Sequence, residues 1–128
     1  MTRSQTESFG PLVRRERKAR EMGLREMANM IGVSPTYLSK IERSEFPPPT
    51  EDKVKAIAKI IGRDADELLA LAGRVASDLT EIIRRRPREI ATLLRTVKGL
   101  NAEDMTRLAR EAQKARDKRR RRPGTRMT

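Results

Sequence analysis

Residues 24–43 read LREMANMIGVSPTYLSKIER, from Leu24 to Arg43, and this stretch decides the fold. Met27, Ala28 and Ile31 recur at helical spacing before Gly32, and Leu38 and Ile41 recur after it, so two short helices each present one apolar stripe. Gly32 stands where a helix ends in the left-handed region, a conformation that costs any residue carrying a Cβ. Ser34 then caps the next helix through its hydroxyl, and Pro35 at the first helical position lacks only an N–H that has no intrahelical partner anyway. The expectation is helix, sharp turn, helix.

The small Ala28 where the helices cross, Gly32 in the turn, and apolar Ile31, Val33, Leu38 and Ile41 inside resemble the helix-turn-helix of the Cro/cI-type (XRE) family of bacterial and phage transcription regulators. The resemblance implies a five-helix Cro/cI-like domain over residues 9–73; outside it, the residue patterns of this sequence point to a disordered N-terminus over 1–8, a helical appendage over 74–115 and a basic disordered tail over 116–128, so that the whole chain is all-α. It also implies that the second helix of the motif is the recognition helix, whose N-terminal residues enter the major groove of duplex DNA.

Around the motif, the chain supplies the other helices. Phe9, Leu12 and Val13 give a first helix an apolar face, and Arg14, Arg15, Arg17, Lys18 and Arg20 make its outer face basic. In the family an arginine of this helix pairs with a glutamate near the end of the recognition helix; position by position these are Arg17 and Glu42, a structural ion pair. Three departures follow. Glu21 stands where the family usually has Gly, Gly23 where it has a Ser or Thr cap, and Leu24 where many relatives carry a phosphate-contacting Gln. Arg25 is placed to reach the DNA backbone in that glutamine's stead.

With Leu38 and Ile41 committed to the core, helical geometry turns Pro35, Thr36, Tyr37 and Lys40 outward as base-contacting residues. Lys40 suits a guanine O6/N7 edge, and Thr36 offers a hydroxyl and a methyl. Tyr37 has two readings, a base or phosphate contact or a half-buried ring under the following loop, and Lys40 has phosphate as its alternative. Arg14, Ser34, Ser39 and Arg43 join Arg25 as phosphate contacts on the flanks. Ser44 to Pro49 cannot continue a helix, and runs extended with Phe46 tucked in as an anchor. Thr50 caps a fourth helix carrying Val54, Ile57, Ala58 and Ile61, closed by Gly62; Asp64 caps a fifth with Leu68, Leu69 and Leu71, ended by Gly73.

Beyond Gly73 lie three further helical patterns. Ser77 or Asp78 caps one holding Leu79, Ile82 and Ile83 up to Pro87; the next, 88–98, carries Ile90, Leu93, Leu94 and Val97; Asn101 caps a third with Met105, Leu108, Ala109 and Ala112. These stripes are too rich to stay solvated and too few for a large core. They pack together, against the fifth helix, or across a two-fold axis. From Lys114 onward eight basic residues face one acidic residue, Asp117; like charges at that density keep a segment open until a polyanion neutralises it, which makes Lys118, Arg119, Arg120, Arg121 and Arg122 a non-specific basic tail.

Composition bounds the chemistry. Thirty Lys and Arg against eighteen Asp and Glu give a net charge of +12 in 128 residues, which implies a polyanionic partner. There is no Cys and no His, so disulfides, thiolate or imidazole metal sites and His-based triads are excluded. The carboxylates are interleaved with Lys and Arg on helix faces, so no enzyme activity, metal or cofactor is expected. With two Phe, one Tyr and no Trp there is no stacking platform for single strands. No apolar run approaches the roughly 18 residues of a membrane span, and a cytoplasmic protein is expected.

The leading reading is a sequence-specific, double-stranded-DNA-binding transcription regulator. It is a dimeric repressor reading an inverted-repeat operator, and autorepression is what the resemblance implies. A homodimer follows from reach, because one recognition helix reads few base pairs, whereas two held about 34–36 Å apart read a palindrome. The alternative is an antitoxin-like or metallopeptidase-partnered regulator whose C-terminal helices dock that toxin or peptidase. A third reading is a charge-driven nucleoid or RNA-binding protein.

Overall fold

Apolar residues at helical spacing form helices throughout the computed structural model, which describes residues 7–121. They are α1 (Phe9–Ala19), α2 (Leu24–Ile31), α3 (Pro35–Glu42), α4 (Glu51–Ile61), α5 (Ala65–Leu71), α6 (Ser77–Arg85), α7 (Pro87–Val97) and α8 (Ala102–Arg120). No strand occurs among the described residues, and no helix there is long and apolar enough to cross a membrane. The chain divides into two units, one ending at Glu81 and the other beginning at Ile82, so the boundary falls inside α6.

The first unit closes around Leu12, Val13, Met27, Ala28, Ile31, Leu38, Ile41, Val54, Ile57, Ala58, Ile61, Leu68 and Leu69, all buried. Each fully buried side chain of Leu or Ile size contributes about 1.5–3 kcal/mol relative to exposure, so α1 to α5 share one core. Ala76, just past α5, is buried with them. Its neighbour Ser77 starts α6 as a helical residue rather than a cap. The Ser77 amide donates to both Glu51 carboxylate oxygens at 3.2 and 3.3 Å, so a side chain of α4 occupies the capping place.

The turn between α2 and α3 is built as the spacing predicts. Gly32 has φ +76°, the Val33 amide donates to the Ala28 carbonyl at 3.0 Å, and the Ser34 hydroxyl accepts from the Tyr37 amide at 3.1 Å. A lysine of α4 reinforces it, since Lys53 Nζ donates to the Ile31 carbonyl at 2.8 Å. Arg20 treats the end of α4 in the same way, its Nη2 donating to the Ile61 carbonyl. Cations at helix C-termini oppose the negative end of the dipole while filling open carbonyl acceptors.

Gly10 sits where α1 crosses α3. A Cβ there would stand 2.2 Å from the Ile41 carbonyl oxygen and 3.0 Å from that of Glu42, and backbone atoms have no rotamer through which to retreat. Glu21, noted above as a departure from Gly, has φ +54°, which is the reason glycine is usual at that place.

Several expectations change. Thr50 precedes α4, yet its hydroxyl donates to Asp52 Oδ1 at 2.5 Å instead of capping an amide. Phe46 is not tucked in but 41% exposed. At the N-terminus, Glu7 is engaged with Arg15 at 2.8 Å, and residues 1–6 lie outside the described part. The basic segment is not open from residue 116, because α8 continues through Lys118, Arg119 and Arg120, with Arg121 at its C-cap; Arg122 and the rest of the tail lie outside the described residues. Exposed pairs at helical spacing, Asp104–Arg107 and Glu111–Lys114, good helix formers such as Ala109, Ala112 and Ala115, and cations at the negative end of the dipole offset the repulsion.

In the second unit α7 begins at Pro87, Gly99 has φ +94° after it, and Asn101 caps α8 by accepting from the Asp104 amide at 2.8 Å. No described residue of this unit is buried.

Candidate nucleic-acid interface

The α3 helix is held by one ion pair. Arg17 Nε donates to Glu42 Oε2 at 2.8 Å and its Nη2 to Glu42 Oε1 at 2.9 Å, a two-point fork, while Nη1 donates to the Met22 carbonyl at 2.8 Å. Both side chains are buried, so neither charge has water to fall back on and the fork fixes the angle between α1 and α3. The Glu42 carboxylate raises the Arg17 pKa further above its ordinary value, through the hydrogen bond first. Glu42 is the one carboxylate of α3, and the pair removes it from the surface.

What α3 leaves outside is therefore neutral or positive. Thr36 is exposed, while Pro35, Tyr37, Ser39 and Lys40 are partly exposed. The loop after α3 returns across this surface: the Glu45 and Phe46 amides donate to the Lys40 carbonyl at 2.8 and 3.2 Å. The Phe46 ring lies 5.8 Å from that of Tyr37, tilted by 49°, and Lys40 Nζ is 5.2 Å from the Phe46 centroid. An exposed cation over an aromatic face is worth about 0.5–1 kcal/mol, enough to bias a lysine that is otherwise free. Tyr37 is thus half-buried beside the loop, and its ring meets Phe46.

A cleft beside α3 is lined by Arg14, Arg17, Leu24, Ser39, Glu42 and Arg43, and a neighbouring one by Pro11, Arg14, Arg15, Lys18, Glu42 and Arg43. Arg14, Ser39 and Arg43 thereby converge on the first residue of α2, the place of Leu24, where a helix N-terminus contributes partial positive charge. Arg25 is exposed but lines neither cleft. Arg43 pairs with Glu45 at 3.3 Å, both about half exposed; such a surface pair is worth roughly 0–1 kcal/mol and yields readily to a phosphate. Ser34 spends its oxygen on the cap, with its hydroxyl hydrogen still available to donate. Lys18 joins the second cleft and Phe46 joins the α3 face, and sequence reasoning selected neither. The spacing of Lys18 four residues after Arg14 was the available signal for the first; for the second there was none, because the loop's return path is not periodic. Among the described residues no cluster of Asp and Glu is placed to hold a metal ion.

Residues 13–68 match a protein-family model described as Helix-turn-helix. Among solved structures the chain is similar to the P22 c2 repressor protein in complex with a synthetic operator, at 30% identity over 49% of this chain and 94% of that one, TM-score 0.45. It is also similar to SinR, a master regulator for biofilm formation, in complex with DNA, at 28% identity over 48% and 97%, TM-score 0.43. A third is the clp gene regulator ClgR from C. glutamicum, at 28% identity over 51% and 83%, TM-score 0.42. No curated protein matches the chain.

Proposed function

Since the chain belongs, through residues 13–68, to the helix-turn-helix family of Cro/cI-type DNA-binding transcription regulators, we propose that it is a sequence-specific repressor. It binds duplex DNA as a homodimer and reads an inverted repeat in the major groove, its own operon among the targets. The observation that carries this reading is the outward side of α3. Its one carboxylate is buried in the fork with Arg17, and what remains outside is Pro35, Thr36, Tyr37, Ser39 and Lys40, groups that fit base edges and phosphates without repelling them. Arg14, Ser39 and Arg43 take the flanking phosphate in place of the contact that Leu24 cannot make, Ser34 and Arg25 contact the backbone further along, and Lys118 to Arg122 add salt-dependent affinity without choosing sequence.

Dimerisation through the second unit is supported by Ile82, Ile83, Leu93, Leu94, Leu100, Met105 and Leu108, all 37–54% exposed, since large exposed apolar side chains in such number mark an interaction surface. The same stripes would serve a toxin or peptidase partner, and sedimentation equilibrium separates the two: a concentration-dependent dimer supports the first, a strict monomer the second.

Selection of binding sites from random duplex DNA at about 150 mM salt tests the whole. Enrichment of an inverted repeat with half-sites about 10–10.5 base pairs apart, or a multiple, is the expected result. A bound pool that stays random would assign binding to phosphate charge alone and remove the sequence-specific reading.

A further inference from the structure

Phe46 is a large apolar side chain left 41% exposed on the one surface where α3 presents polar groups. Its amide is tied to the Lys40 carbonyl at 3.2 Å, while its ring sits 5.2 Å from Lys40 Nζ and 5.8 Å from the Tyr37 ring. Loop backbone and ring thus engage both ends of the same lysine. The two carboxylates closest to Lys40 in sequence are occupied elsewhere, Glu42 by Arg17 and Glu45 by Arg43.

That difference matters for recognition. A carboxylate would hold the ammonium by consuming its N–H donors and by cancelling the charge that a guanine edge or phosphate seeks. An aromatic face attracts the same charge while leaving the donors free to turn toward an acceptor. A lysine has several rotatable bonds and loses that freedom on binding; a ring that already narrows its range lowers the loss for the bound geometry and for no other.

We propose that Phe46 is a specificity-determining positioning residue: its ring holds the Lys40 ammonium where α3 discriminates between base pairs. The proposal rests on the sequence-specific reading above. It adds a residue outside the helix-turn-helix, on the returning loop, whose effect passes through Lys40.

The test measures affinity of the full-length protein, at one salt concentration, for the selected operator and for each of its single base-pair variants. The proteins compared are the wild type, Lys40→Ala, Phe46→Leu, Phe46→Tyr and the Lys40→Ala/Phe46→Leu double variant. Phe46→Leu should lower discrimination about two- to fivefold at the base pair whose preference Lys40→Ala abolishes. It should leave binding to unrelated duplex unchanged, Phe46→Tyr should restore the discrimination, and the double variant should be no worse than Lys40→Ala alone. A uniform loss on every sequence, or additive effects in the double variant, would overturn the proposal in favour of a packing role. If the wild type discriminates and Phe46→Leu matches it, this inference alone falls; if the wild type discriminates nowhere, the sequence-specific reading falls with it.

Discussion

The two units are made of the same material with opposite results. The first buries fifteen apolar side chains, while among the described residues of the second none is buried, although both are built from amphipathic helices. Amphipathicity tells a helix which face to hide and not against what. In the first unit the answer is supplied by particular non-periodic residues: Gly10 lets α1 approach α3, the Arg17–Glu42 fork fixes their angle, and Lys53 and Arg20 fasten helix ends. In the second unit the Asn101 cap on the Asp104 amide and the Asp104–Arg107 pair belong to one helix, and they stabilise that helix without joining it to another.

The contrast can be attacked from its strongest side first. Arg17→Met should destabilise the first unit by about 3–5 kcal/mol, because Glu42 is then buried without a partner, and Gly10→Ala by about 2–3 kcal/mol through backbone overlap; denaturant titration followed by circular dichroism measures both. On the other side, serine at both Ile82 and Leu94 should leave the melting of the first unit in place. It should weaken the proposed self-association by about 2 kcal/mol, more than tenfold in the dissociation constant, read by sedimentation equilibrium. If that pair unfolded the first unit instead, the division between the units would be wrong.

Smaller effects sharpen it. Glu21 holds a positive φ that costs a residue with a Cβ roughly 1 kcal/mol, so Glu21→Gly should raise stability by about 0.5–1 kcal/mol, a gain of a few degrees in Tm. Glu16 accepts hydrogen bonds from Arg63 at 3.0 Å and Arg20 at 2.7 Å, and these, Arg63 first, hold its carboxyl below its ordinary pKa. The unfolded chain therefore takes up the proton first on acidification. The contribution is complete above the ordinary value of about 4.3 and is lost as pH falls through the folded value, and Glu16→Gln should flatten the decline of stability below about pH 5.

What could be read from the sequence follows the same division. Gly32, Ser34, Gly62, Asp64 and Asn101 announced helix ends because each acts within a few residues of its own position. The apolar stripes announced which faces are hidden in α1 to α5. Arg17 and Glu42 were paired only by resemblance, since nothing periodic connects residues 25 apart, and Gly10, Lys53 and Glu51 act across helices and left no local sign. Of the α3 surface, Thr36, Tyr37 and Lys40 were selected by exclusion from the core, whereas the position of Phe46 depends on where a proline-rich loop returns. For the C-terminal charge run, density of charge alone points to an open segment, whereas up to Arg120 the dipole and the alanines of α8 keep the chain helical.

The bond from Lys53 Nζ to the Ile31 carbonyl bears on how the motif can be moved. Residues 24–43 are a continuous segment and invite grafting, but the turn within them is splinted by α4 and the second helix is braced by Gly10 and Arg17 of α1. A transplant of the twenty residues alone would carry the letters of the reading head without its mount. The smallest portable piece runs from α1 through α4, and a host protein must supply in its own structure whatever part of that frame is left behind.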